Sequence, residues 1–252
     1  MVGACDDHRR PPPTPEAGMT RRTAAHPDLT RTDVAAPFFS TWRVGTPERQ
    51  RQAVEAIARA WQRRPWPGEG LRAYHVYTGH DGETLMHHSR WVSEQAYEAF
   101  SKTRRQERVD EIDTAVPDIE RLGLHRYRYH RSRERAAGDE RTPGLIVTVR
   151  IGFEEAAAGR RADWIDLVLK ALADEPAEHR GLIAAHFHLS TDGSHVLNYA
   201  EWESAPAYDE ALAAPGRGIG AATELWERVR TYPGVTGFTG SRYDHALGLV
   251  PS

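Results

Sequence analysis

The segment Gly70-Leu71-Arg72-Ala73-Tyr74-His75-Val76-Tyr77 aligns with Gly181-Leu182-Ile183-Ala184-Ala185-His186-Phe187-His188, and the same offset holds downstream. Asp81-Gly82 falls on Asp192-Gly193, Trp91 on Trp202, Ser93 on Ser204 and Tyr97 on Tyr208. Chance rarely keeps one register through a strand, a turn, a second strand and a helix start. The chain is therefore read as a tandem duplication, each copy close to the ~100 residues of an ordinary domain.

Each copy has the same order of elements. A short apolar strand opens it, Phe38 to Val44 and Leu145 to Ile151. A helix follows, with Thr46 as cap, Pro47 at its first position and Glu48 at the positive end of the dipole in the first copy. Val54, Ile57 and Trp61, and in the second copy Trp164, Val168 and Ala171, recur at helical spacing. Two strands then flank an Asp-Gly turn, whose residues tolerate positive φ. Ser93 and Ser204 read as caps of a second helix, and last strands run Leu124 to His130 and Phe238 to Asp244. The order βαββαβ describes a ferredoxin-like unit, α+β in class. One face of its sheet is covered by helices and the other must be buried elsewhere. Two copies can cover each other, which predicts a pseudo-dimeric α+β barrel formed within one chain.

Composition sets the boundaries. Residues 1–36 are rich in Pro, Thr and charge, without apolar periodicity, and are expected to form a disordered tail. The repeats are assigned to residues 37–131 and 144–246, with a polar linker at 132–143 and a short tail at 247–252. A formal charge of -3 argues against a nucleic-acid partner. No apolar run approaches the ~20 residues of a membrane helix, so no membrane partner is expected. Cys5, the only cysteine, lies in the tail, which removes disulfides and cysteine chemistry from the folded part. With no apolar signal segment, the expected location is cytoplasmic.

The strand ending in Trp and the capped helix carrying Tyr resemble the antibiotic-biosynthesis monooxygenase superfamily. The segments concerned are Ser89-Arg90-Trp91-Val92-Ser93-Glu94-Gln95-Ala96-Tyr97 and Ala200-Glu201-Trp202-Glu203-Ser204-Ala205-Pro206-Ala207-Tyr208. In members that oxidise polyketide anthrones, an Asn-x3-Trp-x5-Tyr spacing lines the pocket. The second copy keeps it as Asn198, Trp202 and Tyr208; the first keeps Trp91 and Tyr97 but has His87 in place of Asn. The resemblance implies a cofactor-independent monooxygenase that oxidises a small aromatic, polyketide-type metabolite with O2. It would need neither metal nor flavin. Asn198 would orient a carbonyl, Trp202 form a wall and Tyr208 donate or relay a proton, so that the second copy carries the better-formed site. An arginine of the second helix would place the substrate, with Arg108, Arg217 and Arg228 as candidates. The haem-degrading branch uses a histidine on that helix; here Ser101 and Leu212 stand near that position, which disfavours haem. Other readings on the same scaffold are a non-catalytic aromatic-ligand or stress-response protein, and a cyclase or isomerase.

The residues support a site independently of the family. Positions two apart on a strand share a face, so Asn198, Ala200 and Trp202 point together, as do His87, Ser89 and Trp91. The same residues equally suit packing of sheet on helix. His75, His186 and His188 are candidate substrate-binding residues; a two-residue turn would pair His75 with His88 and set His186 and His188 on one face. Histidines alone make a poor metal set, and no metal is expected. Gly216-Arg217-Gly218-Ile219-Gly220 reads as a loop over the pocket, and Arg126-Tyr127-Arg128-Tyr129-His130-Arg131 as ordinary strand alternation. The fused pair leaves room for a homodimer.

Overall fold

The computed structural model describes residues 18–68, 70–134, 138–174, 181–213 and 223–252. In the first repeat, strand β2 (Ala36–Arg43) leads into helix α1 (Pro47–Gln62), the hairpin β3 (Leu71–Gly79) and β4 (Thr84–Trp91), helices α2 (Glu94–Thr103) and α3 (Arg105–Ala115), and strand β5 (Glu120–Glu134). The second repeats the plan with β6 (Leu145–Phe153), α4 (Arg161–Ala173), β7 (Leu182–Ser190), β8 (His195–Trp202), α5 (Ala205–Ala213), α6 (Glu224–Arg230) and β9 (Val235–Pro251). The caps form as local chemistry requires. Thr46, Ser93 and Ser204 accept from the backbone N–H groups of Arg49, Ala96 and Ala207 at 3.2, 3.1 and 3.3 Å. At the hairpin tips Gly82 and Gly193 have φ of 74° and 81°, which explains glycine after each aspartate.

The strands form one continuous antiparallel sheet in the order β9-β3-β4-β2-β5-β7-β8-β6, shut into a ring by a further β9–β6 pairing. Closure is the work of the two longest strands. β5 pairs with β2 from Glu120 to Arg126 and then crosses to β7, Tyr127 opposite Ser190. β9 pairs with β6 as far as Tyr243 and then with β3, Tyr74 opposite Leu249. The result is the intrachain α+β barrel of two ferredoxin-like repeats. No sheet edge is left open around the ring, which blunts edge-to-edge aggregation.

Three expected boundaries are corrected. β1 (Thr20–Thr23) pairs with the end of β9, and Leu29 inserts among bore residues, so the stretch before residue 37 is not wholly a disordered tail. β5 runs to Glu134, into the expected linker, because its outer half pairs with the other repeat. β9 likewise takes up residues 247–251 of the expected tail.

Alternation divides each strand between two environments. One face packs on helices: Val76, Leu71 and Trp91 against Ile57, Trp61 and Phe100, and Ile151, Phe187 and Val196 against Trp164, Val168 and Trp226. The other face lines the bore, where Phe39, Tyr77, Met86 and Tyr127 meet Ile146, Leu197, Tyr199 and Tyr243 across the repeats.

Candidate active site

Between the sheet and helices of the first repeat lies a cavity of about 240 Å³, near the lower end of the ~300–1,000 Å³ typical of small-molecule sites. Its floor is Ser40 and Trp42 of β2, Tyr74 of β3, and His87, Ser89 and Trp91 of β4. Its roof is Trp61 of α1, Tyr97 and Phe100 of α2, and Arg105, Arg108, Val109 and Ile112 of α3. Arg121, Gly123 and Leu124 of β5 form one side.

The aromatic walls hold each other. Trp91 meets Tyr97 edge-on at 5.5 Å between ring centroids and Phe100 at 5.2 Å; Trp61 meets Tyr74 at 4.8 Å. Such pairs add ~0.5–1.5 kcal/mol beyond their buried area. His87 lies against Trp42 at 4.1 Å, and its Nδ1 is 2.7 Å from the Tyr74 hydroxyl. Burial first, then Arg121 and Arg105, lowers His87 to about 3, so the ring is neutral near pH 7. Burial raises Tyr74, which keeps its proton. Arg108 sits over the Trp61 ring at 4.8 Å and donates to the Arg104 and Pro65 carbonyls, both at 2.8 Å. Desolvation lowers it to about 10, still a cation. Arg121 stacks over Trp42 at 4.9 Å and pairs with Asp113 at 2.6 Å.

Three buried polar atoms lining this space have no partner: His87 Nε2, Trp91 Nε1 and Arg108 Nε. A buried polar atom without a partner carries a desolvation cost of ~1–3 kcal/mol that a ligand or water can relieve. Stacking surface plus waiting polar atoms suits a small planar molecule bearing an oxygen.

The second repeat places its residues differently. Asn198 stands where His87 does, but its strand neighbours are Val149 and Phe187, where the first repeat has Ser40 and Val76. Trp202 and Tyr208 meet at 5.0 Å among Leu145, Val147 and Ala211, repeating the Trp91–Tyr97 contact. Asn198 Oδ1 and Trp202 Nε1 are also buried without partners.

Of the residues singled out from sequence, His87, Trp91, Tyr97 and Arg108 come together in the first-repeat cavity. His75, His186 and His188 do not join them. They face the bore, with His75 opposite His88 as the turn predicts. Arg228 is exposed, and Arg217 with its Gly-rich stretch lies outside the described residues. Sequence reasoning missed Tyr74, Trp42, Arg105 and Arg121. Tyr74 could have been found, since a Tyr lies on the helix-facing side of β3 one strand away from His87.

Haem does not fit this space. The roof offers aromatic, apolar and arginine side chains but no histidine, cysteine or methionine, and the single cavity histidine is committed to Tyr74 on the floor. Among the described residues no group of three or more His, Cys, Asp or Glu side chains is arranged to hold a metal ion, and no helix is long and apolar enough to cross a membrane.

The fold is that of a fused dimeric α+β barrel of the monooxygenase-like type. The family model "Antibiotic biosynthesis monooxygenase" matches residues 146–217, and the second repeat belongs to that superfamily; the first shares its fold. A solved anthrone oxidase-like protein is similar over 86% of this chain and 93% of its own, with 18% identity and a TM-score of 0.63. A protein described as a monooxygenase from Lactobacillus acidophilus covers 84% and 95%, at 10% identity and a TM-score of 0.53. A mutant chlorite dismutase from Candidatus Nitrospira defluvii covers 86% and 93%, at 12% identity and the same TM-score of 0.53. At these identities the likeness is one of fold. No curated protein matches the chain.

Proposed function

We propose that this protein is a cofactor-independent monooxygenase of a small aromatic, polyketide-type metabolite, working in the first-repeat cavity. The observation that carries the reading is that cavity: an aromatic box on the helix-facing side of the sheet, with His87 Nε2, Trp91 Nε1 and Arg108 Nε buried and unpartnered around it. An activated methylene, as in an anthrone, supplies all the electrons required. Loss of a proton gives a carbanion delocalised onto the ring oxygen. Its addition to O2, with uptake of a proton, gives a hydroperoxide, and loss of water leaves a ketone. In sum, the methylene and one molecule of O2 become a ketone and one molecule of water, with no external reductant. The protein's part is to bind the ring, stabilise the oxyanion and exclude water. Trp91, Tyr97 and Trp61 stack on the substrate, while Arg108 and His87 attend its oxygen.

Oxygen uptake with 9-anthrone, corrected for autoxidation, tests this. The wild type accelerates uptake; His87→Leu and Trp91→Ala reduce the enzymatic rate at least tenfold, and Asn198→Ala leaves it within twofold. Loss of rate on Asn198→Ala but not on His87→Leu would move the site to the second repeat. No acceleration by wild type would favour the ligand-binding reading, which the lack of any carboxylate on the cavity wall also suits.

A further inference from the structure

Within the proposed site, the Tyr74–His87 pair fixes more than position. Among the described residues the Tyr74 hydroxyl has one hydrogen-bond partner, His87 Nδ1. Tyr74 is buried and keeps its proton, and that proton has no other acceptor. It is therefore donated to Nδ1, which must then be the unprotonated nitrogen of a neutral ring. The ring's own proton resides on Nε2, the buried atom that has no partner and lines the cavity. His87 thus presents a donor to the ligand and has no free lone pair with which to act as a base. Asn198 at the matching position of the second repeat carries an amide, also able to donate.

The groups facing His87 agree in sign. Tyr74 and Tyr97 bring phenol hydroxyls; Arg105 and Arg108 come from α3 and Arg121 from β5. Arg108 gives its two terminal nitrogens to carbonyls and keeps only Nε unpartnered, Arg121 pairs with Asp113, and Arg105 has no hydrogen bond or ion pair among the described residues. No lining residue is Asp, Glu or Lys. A wall of three guanidiniums and one fixed N–H, with no anion and no base, repels cations and favours an anionic guest.

We propose that the cavity takes its aromatic ligand as a preformed oxyanion, received by the Nε2–H of a neutral His87, with Tyr74 as the positioning residue that holds this tautomer. The substrate class is then a planar aromatic acid, phenolate or enolate that ionises in solution or on encountering the Arg105 side of the cavity. The inference rests on the first-repeat cavity being the ligand site, but not on the ligand being oxidised.

Two measurements on the full chain test it. In the first, fluorescence titration compares 2-naphthoate with its methyl ester. The wild type binds the carboxylate at least tenfold more tightly than the ester. His87→Leu lowers carboxylate affinity by about tenfold, the scale of one hydrogen bond to a charged group, and weakens the ester, whose carbonyl accepts only a neutral hydrogen bond, by a smaller factor. His87→Asn, which restores a donor, stays within threefold of wild type. In the second, 15N NMR of histidine-labelled wild type, assigned with His87→Asn, shows His87 with a protonated Nε2 and an unprotonated Nδ1. Tyr74→Phe converts it to a mixture of tautomers and weakens the carboxylate preferentially. Equal binding of ester and carboxylate, or a protonated Nδ1 in wild type, overturns the proposal; the wild-type results decide it even if a variant fails to fold. Selective carboxylate binding without oxygen uptake on anthrone would strike the monooxygenase reading alone. Oxygen uptake with no preference for the anion would strike this inference alone.

Discussion

His87 and Asn198 occupy one position in two copies, and their neighbours decide what each can do. Ser40 beside His87 is small and polar, whereas Val149 beside Asn198 is branched and apolar. On the next strand Val76 is matched by the larger Phe187. The floor beside His87 therefore carries smaller side chains than the floor beside Asn198. Ser40→Leu should import the bulkier floor: the added side chain projects into the cavity, so 2-naphthoate affinity drops at least tenfold while the melting temperature moves by only a few degrees. Unchanged affinity would mean that the ligand sits elsewhere. Duplication and spacing made Trp91, Tyr97 and His87 legible from sequence as a set. They also pointed to Asn198 as the stronger candidate, because a motif records identities and not the neighbours that surround them. Tyr74, Arg105 and Arg121 were harder to see. They reach the cavity from three other elements, and only the fold brings those together.

The elements show how closely the copies follow one plan. Gly70 precedes β3 and Gly181 precedes β7, and each passes under the second helix of its repeat. A Cβ at Gly70 would lie 2.8 Å from the Ala96 Cβ, and one at Gly181 would lie 2.5 Å from the Ala207 Cβ. Both sites demand the absence of a side chain for the helix to seat on the strand. Gly181→Val should cost about 1–3 kcal/mol through overpacking, read as a lower urea midpoint at constant m-value. A midpoint equal to wild type would show that α5 shifts freely. Hairpins, caps and first helices could be read in advance because their signals are local. The lengths of β5 and β9 could not. Arg133 and Glu134 look like linker composition, yet they lie on a strand whose partner belongs to the other repeat. The four residues of β1 carry no periodicity at all and form only because the end of β9 offers an edge.

At the scale of the whole molecule the bore is the unusual feature. His75, His88 and His188 are buried there, and His75 Nε2, both ring nitrogens of His88 and His188 Nδ1 have no partner. Burial drives all three below the ordinary value of 6.5, His188 to about 3. Below pH 6.5 the unfolded chain therefore binds more protons than the folded one, for His188 down to about pH 3. Stability from these groups is fully present above pH 6.5 and is lost as pH falls through that window. His188 alone contributes on the order of 2 kcal/mol between pH 7.5 and 5, and His75 and His88 act in the same direction, so thermal unfolding at pH 5 should begin several degrees earlier. Replacing His88 and His188 by Leu should flatten the dependence; an equally steep profile would place its cause in groups other than these two. Separate expression of residues 18–134 should give a dimer or aggregate, since closure then requires a second copy, and a monomer by sedimentation would contradict the barrel as the unit of stability.

The claim on which most depends is that the first-repeat cavity delivers an aromatic anion to O2 without a cofactor. Incubation of chelator-treated protein with 9-anthrone under 18O2, followed by mass spectrometry of the product, tests it most directly. The account predicts one 18O atom in the anthraquinone-type product, formed well above the autoxidation background by wild type and at near-background level by His87→Leu. Labelled product no faster than in buffer, or equally fast in the variant, would contradict it.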